Sequence, residues 1–175
     1  MGQICAAVAR AYGARPVIVA GMTPHRLELA RQVADATVNV ETTELRAAVL
    51  ALTEGRGADV VIVVVSDGPA LEAGLTALRP GGTLNAFAGV AKGTEVKLDL
   101  RRLHYEQYHL TGSFGLGPEH MAKALHLMET GAVNAQALVT ARFPFQQAAD
   151  AVAYAANRVG LKAMVIFDGD QEATR

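Results

Sequence analysis

Apolar positions along the chain switch repeatedly between a helical and a strand-like period. From Gly2 to Tyr12, Ile4, Val8 and Ala11 fall on one helix face with Cys5 and Tyr12 beside them, and Gly13 supplies a stop. Pro16 to Ala20 is too short for a helix and rich in β-branched residues, so it reads as a buried strand. Thr23-Pro24 pairs an N-cap residue with a proline at the first helical position, and the helix continues through Leu27, Ala30, Val33 and Ala34. Val38 to Val40 reads as a short strand, and Leu45, Ala48, Val49 and Leu52 form the next helical stripe. Ala58 to Val65 is the strongest strand, apolar on both faces as a central parallel strand should be. Gly68-Pro69 then opens a helix with Leu71, Leu75 and Leu78 inward, and Pro80-Gly81-Gly82 turns the chain into the strand Thr83 to Ala88. Val96 to Leu100 alternates like an edge strand, and His109 to Ser113 is another strand. A helix over Pro118 to Thr130 ends at Gly131. A last helix, Phe145 to Asn157, precedes the strand Ala163 to Phe167, and the polar tail from Asp168 is expected to fray.

Such alternation predicts an α/β fold, a doubly wound parallel (Rossmann) sheet with helices on both faces. The pattern opens directly in a helix at Met1-Gly2-Gln3-Ile4, so the first strand and its glycine-rich turn are missing from the expected order. In the order 3-2-1-4-5-6 that strand is central, and its loss leaves two inner edges with unpaired backbone groups. Three outcomes are expected: the neighbouring strands close up, another chain fills the gap, or the product is unstable. Residues 1–115 read as the sheet domain, truncated at its N-terminus, and 116–175 as a less regular C-terminal piece.

Composition narrows the function. The chain has 175 residues, 51% of them hydrophobic, enough for one sizeable core or a domain with an appendage. Sixteen basic and 17 acidic residues are well mixed, with no basic stripe for nucleic acid or an anionic membrane. Cys5 is the single cysteine, which rules out a disulfide framework. No apolar run approaches the ~20 residues that span a bilayer, and no signal peptide is visible. A reduced, cytoplasmic, globular protein is expected.

In a doubly wound sheet, ligands sit beyond the carboxyl ends of the strands. The first helix starts at Gly2, where backbone N–H groups would face a pyrophosphate. The second strand ends at Gly21, a place where NAD sites carry an acid for the ribose 2′-hydroxyl. Here Thr23, His25 and Arg26 follow instead, so a 2′-phosphate is not repelled and Arg26, or His25, could attract it. The balance favours NADP over NAD. Small residues at Val65-Ser66, Ala88-Gly89-Val90 and Ser113-Phe114-Gly115 suit a flat ring and ribose lying close to the main chain. His120 and His126 are six residues apart, off the spacing of two metal ligands on one helix face. Neither Ser66 nor Ser113 sits in a Gly-x-Ser-x-Gly turn. The residues offer a ligand crevice without visible catalytic machinery or a metal site.

The stretch from Gly57 to Gly131 resembles the cofactor-binding half of the zinc-dependent medium-chain dehydrogenase/reductase family, in its polyol, sugar-alcohol and threonine dehydrogenase branch. The match is carried by LRPGG (Leu78 to Gly82), the His104-Tyr105 pair, Gly112-Ser113-Phe114-Gly115, and RFPFQQAADAVAYA (Arg142 to Ala155) followed by Lys162. The resemblance implies hydride transfer between an alcohol and NAD(P), with zinc held in a separate N-terminal lobe that has no counterpart in this chain. It implies that Gly2 is the last glycine of the phosphate turn and that Gly21 stands where the ribose acid would be. It places Val65, Ser66, Ala88, Gly89, Val90, Ser113 and Phe114 along the nicotinamide and its ribose, and Lys162 near the pyrophosphate. It makes Val96 to Leu100 the strand through which a homodimer would form, and 116–175 a return segment of the catalytic lobe. A truncated cofactor-domain fragment, or one translated from an internal start, is therefore expected. Two alternatives stand beside the oxidoreductase: a non-catalytic dinucleotide-binding module and, on L-x-P-G-G before a strand, a methyltransferase using S-adenosylmethionine.

Overall fold

A computed structural model describes residues 1–167, so the tail from Asp168 lies outside the described residues. The chain forms two compact units, Met1–Ala122 and one from Lys123 onward. The first contains α1 (Gly2–Ala11), β1 (Ile18–Gly21), α2 (Pro24–Ala30), β2 (Ala36–Asn39) and α3 (Leu45–Leu52). It continues with β3 (Ala58–Val63), α4 (Gly68–Ala77), β4 (Leu78–Ala86), α5 (Leu100–Tyr105) and β5 (His109–Gly112). All strand pairs are parallel, and helices intervene as the sequence predicts.

The strands of the first unit divide into two sheets. β1 pairs with β2, Ile18 opposite Ala36 and Gly21 opposite Asn39. A three-stranded sheet has the order β3-β4-β5, with Leu84 between Val61 and Leu110. The expected closing-up of neighbouring strands does not occur, because β1 and β3 lie in separate sheets. β3 is consequently an edge rather than a central strand. Val61 and Val63 pack against Leu84, Leu75 and the flank of Gly74, but Val60 is 58% and Ile62 40% exposed. Only the inward face of the apolar run is covered.

Two further expectations change. The segment Val96 to Leu100 is not a strand: the Lys97 N–H is taken by the Glu72 carboxylate at 2.7 Å. Asp99 accepts from the N–H groups of Arg101 and Arg102, which draws Leu100 into α5. The Pro80-Gly81-Gly82 turn is instead a bulge inside β4, which begins at Leu78. Gly81 has φ +73, and a Cβ on Gly82 would lie 2.8 Å from the Arg79 carbonyl oxygen, so glycine lets the ladder absorb extra residues without breaking. Arg79 closes the bulge through Nε to Asp59, 2.6 Å.

α6 (Pro118–Glu129) ends at Gly131, whose φ is +71. Beyond it, β6 (Val139–Pro144) and β7 (Lys162–Ile166) form a parallel pair with α7 (Ala148–Ala156) between them in the chain. The helix expected from Phe145 opens as a 3-10 turn over Phe145–Gln147. Thr140 ties this unit together, accepting at Oγ1 from the Leu161 N–H (2.9 Å) and the Tyr154 hydroxyl (3.1 Å).

Candidate functional site

The carboxyl ends of β3, β4 and β5 come together through the backbone. The N–H groups of Phe87 and Ala88 both donate to the Val63 carbonyl at 3.1 Å, and that of Ser113 to Ala86 at 3.4 Å. Val65, Ser66, Gly89 and Val90 are exposed at these tips. A Cβ added to Gly89 would meet no heavy atom within 4 Å, so the glycine leaves open space there. Phe114 is fully exposed, just beyond β5.

Gly2, the first residue of α1, stands against the end of β3. A Cβ there would meet Val64 Cγ2 at 3.4 Å, an ordinary contact that shows how closely the helix start approaches the strand. Met1 is the N-cap and supplies no side-chain cap, which leaves the start of the helix suited to an outside acceptor. Gln3 is buried and donates from Nε2 to the Arg26 carbonyl at 2.9 Å. That bond joins α1 to α2. Its signal in the sequence is faint, a single amide among apolar residues on the inward side of a helix.

At the β1 tip, Gly21 accepts from the Val40 N–H at 3.1 Å, and its Cβ position would meet only Leu27 Cδ2, at 3.5 Å. Its φ is not in the left-handed region, so neither crowding nor backbone conformation demands glycine. Thr23 caps α2 by position without a side-chain bond. His25 is exposed, whereas Arg26 is half-buried with Nε out of solvent. Lys162 belongs to the second unit, at the start of β7.

Perturbed acids and bases lie away from the tips. Arg102 and the Tyr108 hydroxyl hold Glu106 down to about 2, and burial with the Glu106 bond pushes Tyr108 up to about 12. The Val17 N–H first, and then Arg10 and Arg15, lower the Asp35 carboxyl. Both groups bond at the starts of strands, Asp35 to Val17 before β1 and Glu106 to Tyr108 before β5. Burial raises the Cys5 thiol. Among the described residues no group of three His, Cys, Asp or Glu could hold a metal ion.

A family model described as zinc-binding dehydrogenase matches residues 1–130. D-xylulose reductase A of Aspergillus oryzae is 31% identical over 171 residues, covering 94% of this chain and 47% of that protein. Sorbitol dehydrogenase of Bacillus subtilis is 28% identical over 153 residues, 87% of this chain and 43% of that protein. The structure of an alcohol dehydrogenase from Thermotoga maritima superposes with a TM-score of 0.85 at 28% identity, over 95% of this chain and 47% of that one. The chain thus spans about half the length of these relatives. None of these relatives supports the S-adenosylmethionine alternative.

Proposed function

The chain belongs to the zinc-binding dehydrogenase family, and from that premise we propose that its first unit binds a nicotinamide dinucleotide as the cofactor-binding part of an alcohol or polyol oxidoreductase. The observation that carries this reading is the seat of α1: its first residue, Gly2, lies against Val64 at the end of β3, in a sheet whose other strands end at the small residues Ala88, Gly89 and Ser113. A pyrophosphate fits the amide end of such a helix, and a flat ring and ribose fit small residues at strand ends. When bound, the nicotinamide takes or gives the hydride. This chain's residues hold the dinucleotide, orient its ring and leave the crevice open. No zinc step is assigned to them, since none of the described residues cluster as metal ligands. That same observation favours a second reading, a dinucleotide-binding module without chemistry of its own.

NADP is the favoured dinucleotide. A Cβ at Gly21 would make only ordinary contact with Leu27, so crowding does not demand glycine, and Gly21 itself supplies no carboxylate to oppose a 2′-phosphate. Thr23 and Arg26 follow that position at the start of α2, while Lys162, which the resemblance assigns to the pyrophosphate, belongs to the second unit. Residues 1–115 make up the cofactor domain in this reading and 116–175 the return segment. A homodimer belongs to this reading as well, although the segment Val96 to Leu100, expected as its joining strand, is held by Glu72 and enters α5 instead. A cytoplasmic setting suits a chain whose described helices are too short and polar to cross a membrane.

Fluorescence titration of the purified chain with NADPH and NADH tests the proposal. NADPH is expected to bind the tighter, and Gly21→Asp to reverse that order. Failure of both dinucleotides to bind would overturn the assignment, while NADH binding about tenfold tighter than NADPH, about 1.4 kcal/mol, would overturn only the choice of coenzyme.

A further inference from the structure

Asn85 lies in the middle strand of the three-stranded sheet, in a row with Ile62 of β3 and Thr111 of β5. Side chains alternate along a strand, so the same face carries Val64 and Ser113 two residues further on. Val64 is where Gly2 seats α1. Asn85 therefore shares a face with the start of that helix, one step below the tips.

Its amide is held in a one-sided way. Nδ2 donates to Ser113 Oγ at 2.8 Å, while Oδ1 is buried with no hydrogen-bond partner among the described residues. Exchanging O and N would bury an NH2 with two unmet donors, and a carbonyl oxygen is the cheaper group to leave unmet. An apolar residue beside Ile62 would avoid the cost altogether. The amide's single bond thus fixes the polarity of Ser113: an oxygen that accepts from Asn85 keeps its own O–H to donate. Ser113 is exposed at the end of β5, so that donor is available to the crevice.

We propose that Asn85 is a positioning residue that locks Ser113 as a hydrogen-bond donor to an acceptor oxygen of the dinucleotide, a ribose hydroxyl or the carboxamide. The proposal rests on the dinucleotide reading above. Ser113→Ala is expected to weaken NADPH about fivefold, the loss of one hydrogen bond. Asn85→Asp offers only acceptors at neutral pH and turns the Ser113 O–H inward. It should weaken NADPH about as much as Ser113→Ala, and the double variant should lose no more than either. Asn85→Leu removes the lock and the unmet oxygen together, so a loss of about threefold should accompany an unchanged or higher Tm. A residue that only braces the sheet would lower Tm and leave affinity alone.

Three results would overturn the proposal while sparing dinucleotide binding: wild-type affinity in Asn85→Asp, wild-type affinity in Asn85→Leu, or additive losses in the double variant. Should Asn85→Asp not fold, Asn85→Leu decides. A wild-type chain that binds neither NADPH nor NADH overturns this proposal together with the reading beneath it.

Discussion

Around β3, β4 and β5 the interior is built from long side chains: Val63, Leu75, Leu78, Leu84 and Tyr108 form one buried cluster, with Val61, Leu71, Leu98 and Leu103 packed on it. Around β1 and β2 it is built from short ones: Ala6, Ala7, Val17, Ala30, Ala34 and Val38, with Leu27 the largest. Apolar area removed from water sets the hydrophobic contribution, so the first half stands mainly on burial. The second half recruits polar clamps. Asp35 accepts from the Val17 N–H at 2.7 Å and from Arg10 at 2.8 Å, Gln3 holds Arg26, and Glu44 accepts from the N–H groups of Arg46 and Ala47. Two arrangements of one strand–helix pattern therefore draw on burial in different proportion, with polar clamps such as Glu106 and Arg102 present in the leucine-rich half as well.

Substitution in the leucine-rich half should cost most. Leu84→Ala leaves a cavity among Val61, Val63 and Gly74 and is expected to lower unfolding free energy by about 2–5 kcal/mol in urea denaturation. A loss below about 1 kcal/mol would show that burial does not dominate there.

Glu106→Gln comes next. Its carboxylate takes both arms of Arg102, at 2.9 and 3.1 Å, and the Tyr108 hydroxyl. The folded carboxyl sits at about 2, below its usual 4.5. Its stabilisation is therefore complete above pH 4.5 and drains away as pH falls toward 2. The group is partly exposed, and solvent screening brings the expected loss in Glu106→Gln to about 1.5 kcal/mol at neutral pH. The wild type and variant should converge in acid unfolding curves. Tyr108, raised to about 12, contributes in the opposite sense: its share is present below pH 10 and lost as pH climbs through 12.

In the alanine-rich half, Asp35→Ala removes the partner of one strand N–H and of Arg10, with an expected loss of about 1 kcal/mol. Amide exchange should rise first at Val17 and along β1. If exchange rises equally in β4, the two halves unfold as one and the contrast between them is lost. Smallest of all, Val60→Thr on the open side of β3 should change stability by no more than about 0.5 kcal/mol. A loss of about 2 kcal/mol would mean that this side chain is covered in solution.

The helices and most strands are legible in the chain because period and punctuation agree: Gly13 and Gly131 stop helices in left-handed geometry, and Pro24 and Pro69 open them. Local pattern misleads where neighbours decide instead. The unbroken apolar run ADVVIVVV, Ala58 to Val65, describes a strand that two sides could cover, yet only one side is. Alternation at Val96 to Leu100 is real, but a strand also needs a ladder, and Asp99 begins a helix. Arg79 to Gly82 carries every mark of a turn and is a bulge because the ladder holds on both sides of it, Ala58 opposite Leu78 and Val60 opposite Thr83. β6 escapes a sequence reading because Arg142 and Pro144 interrupt its apolar pattern. At the site, glycines and small residues announce the strand tips. Gln3 and Asn85 stay hidden, since a polar residue inside an apolar run reveals its role only through the partner it meets across the fold.

The uncovered rim of β3 carries a practical consequence for anyone handling the protein. Two β-branched side chains and a row of ladder groups facing outward are a template for a neighbouring molecule. Sulfate, which strengthens apolar association, should bring copies together at concentrations where chloride leaves them dispersed. Colloidal behaviour would then report on a backbone edge rather than on net charge, which at −1 offers little repulsion.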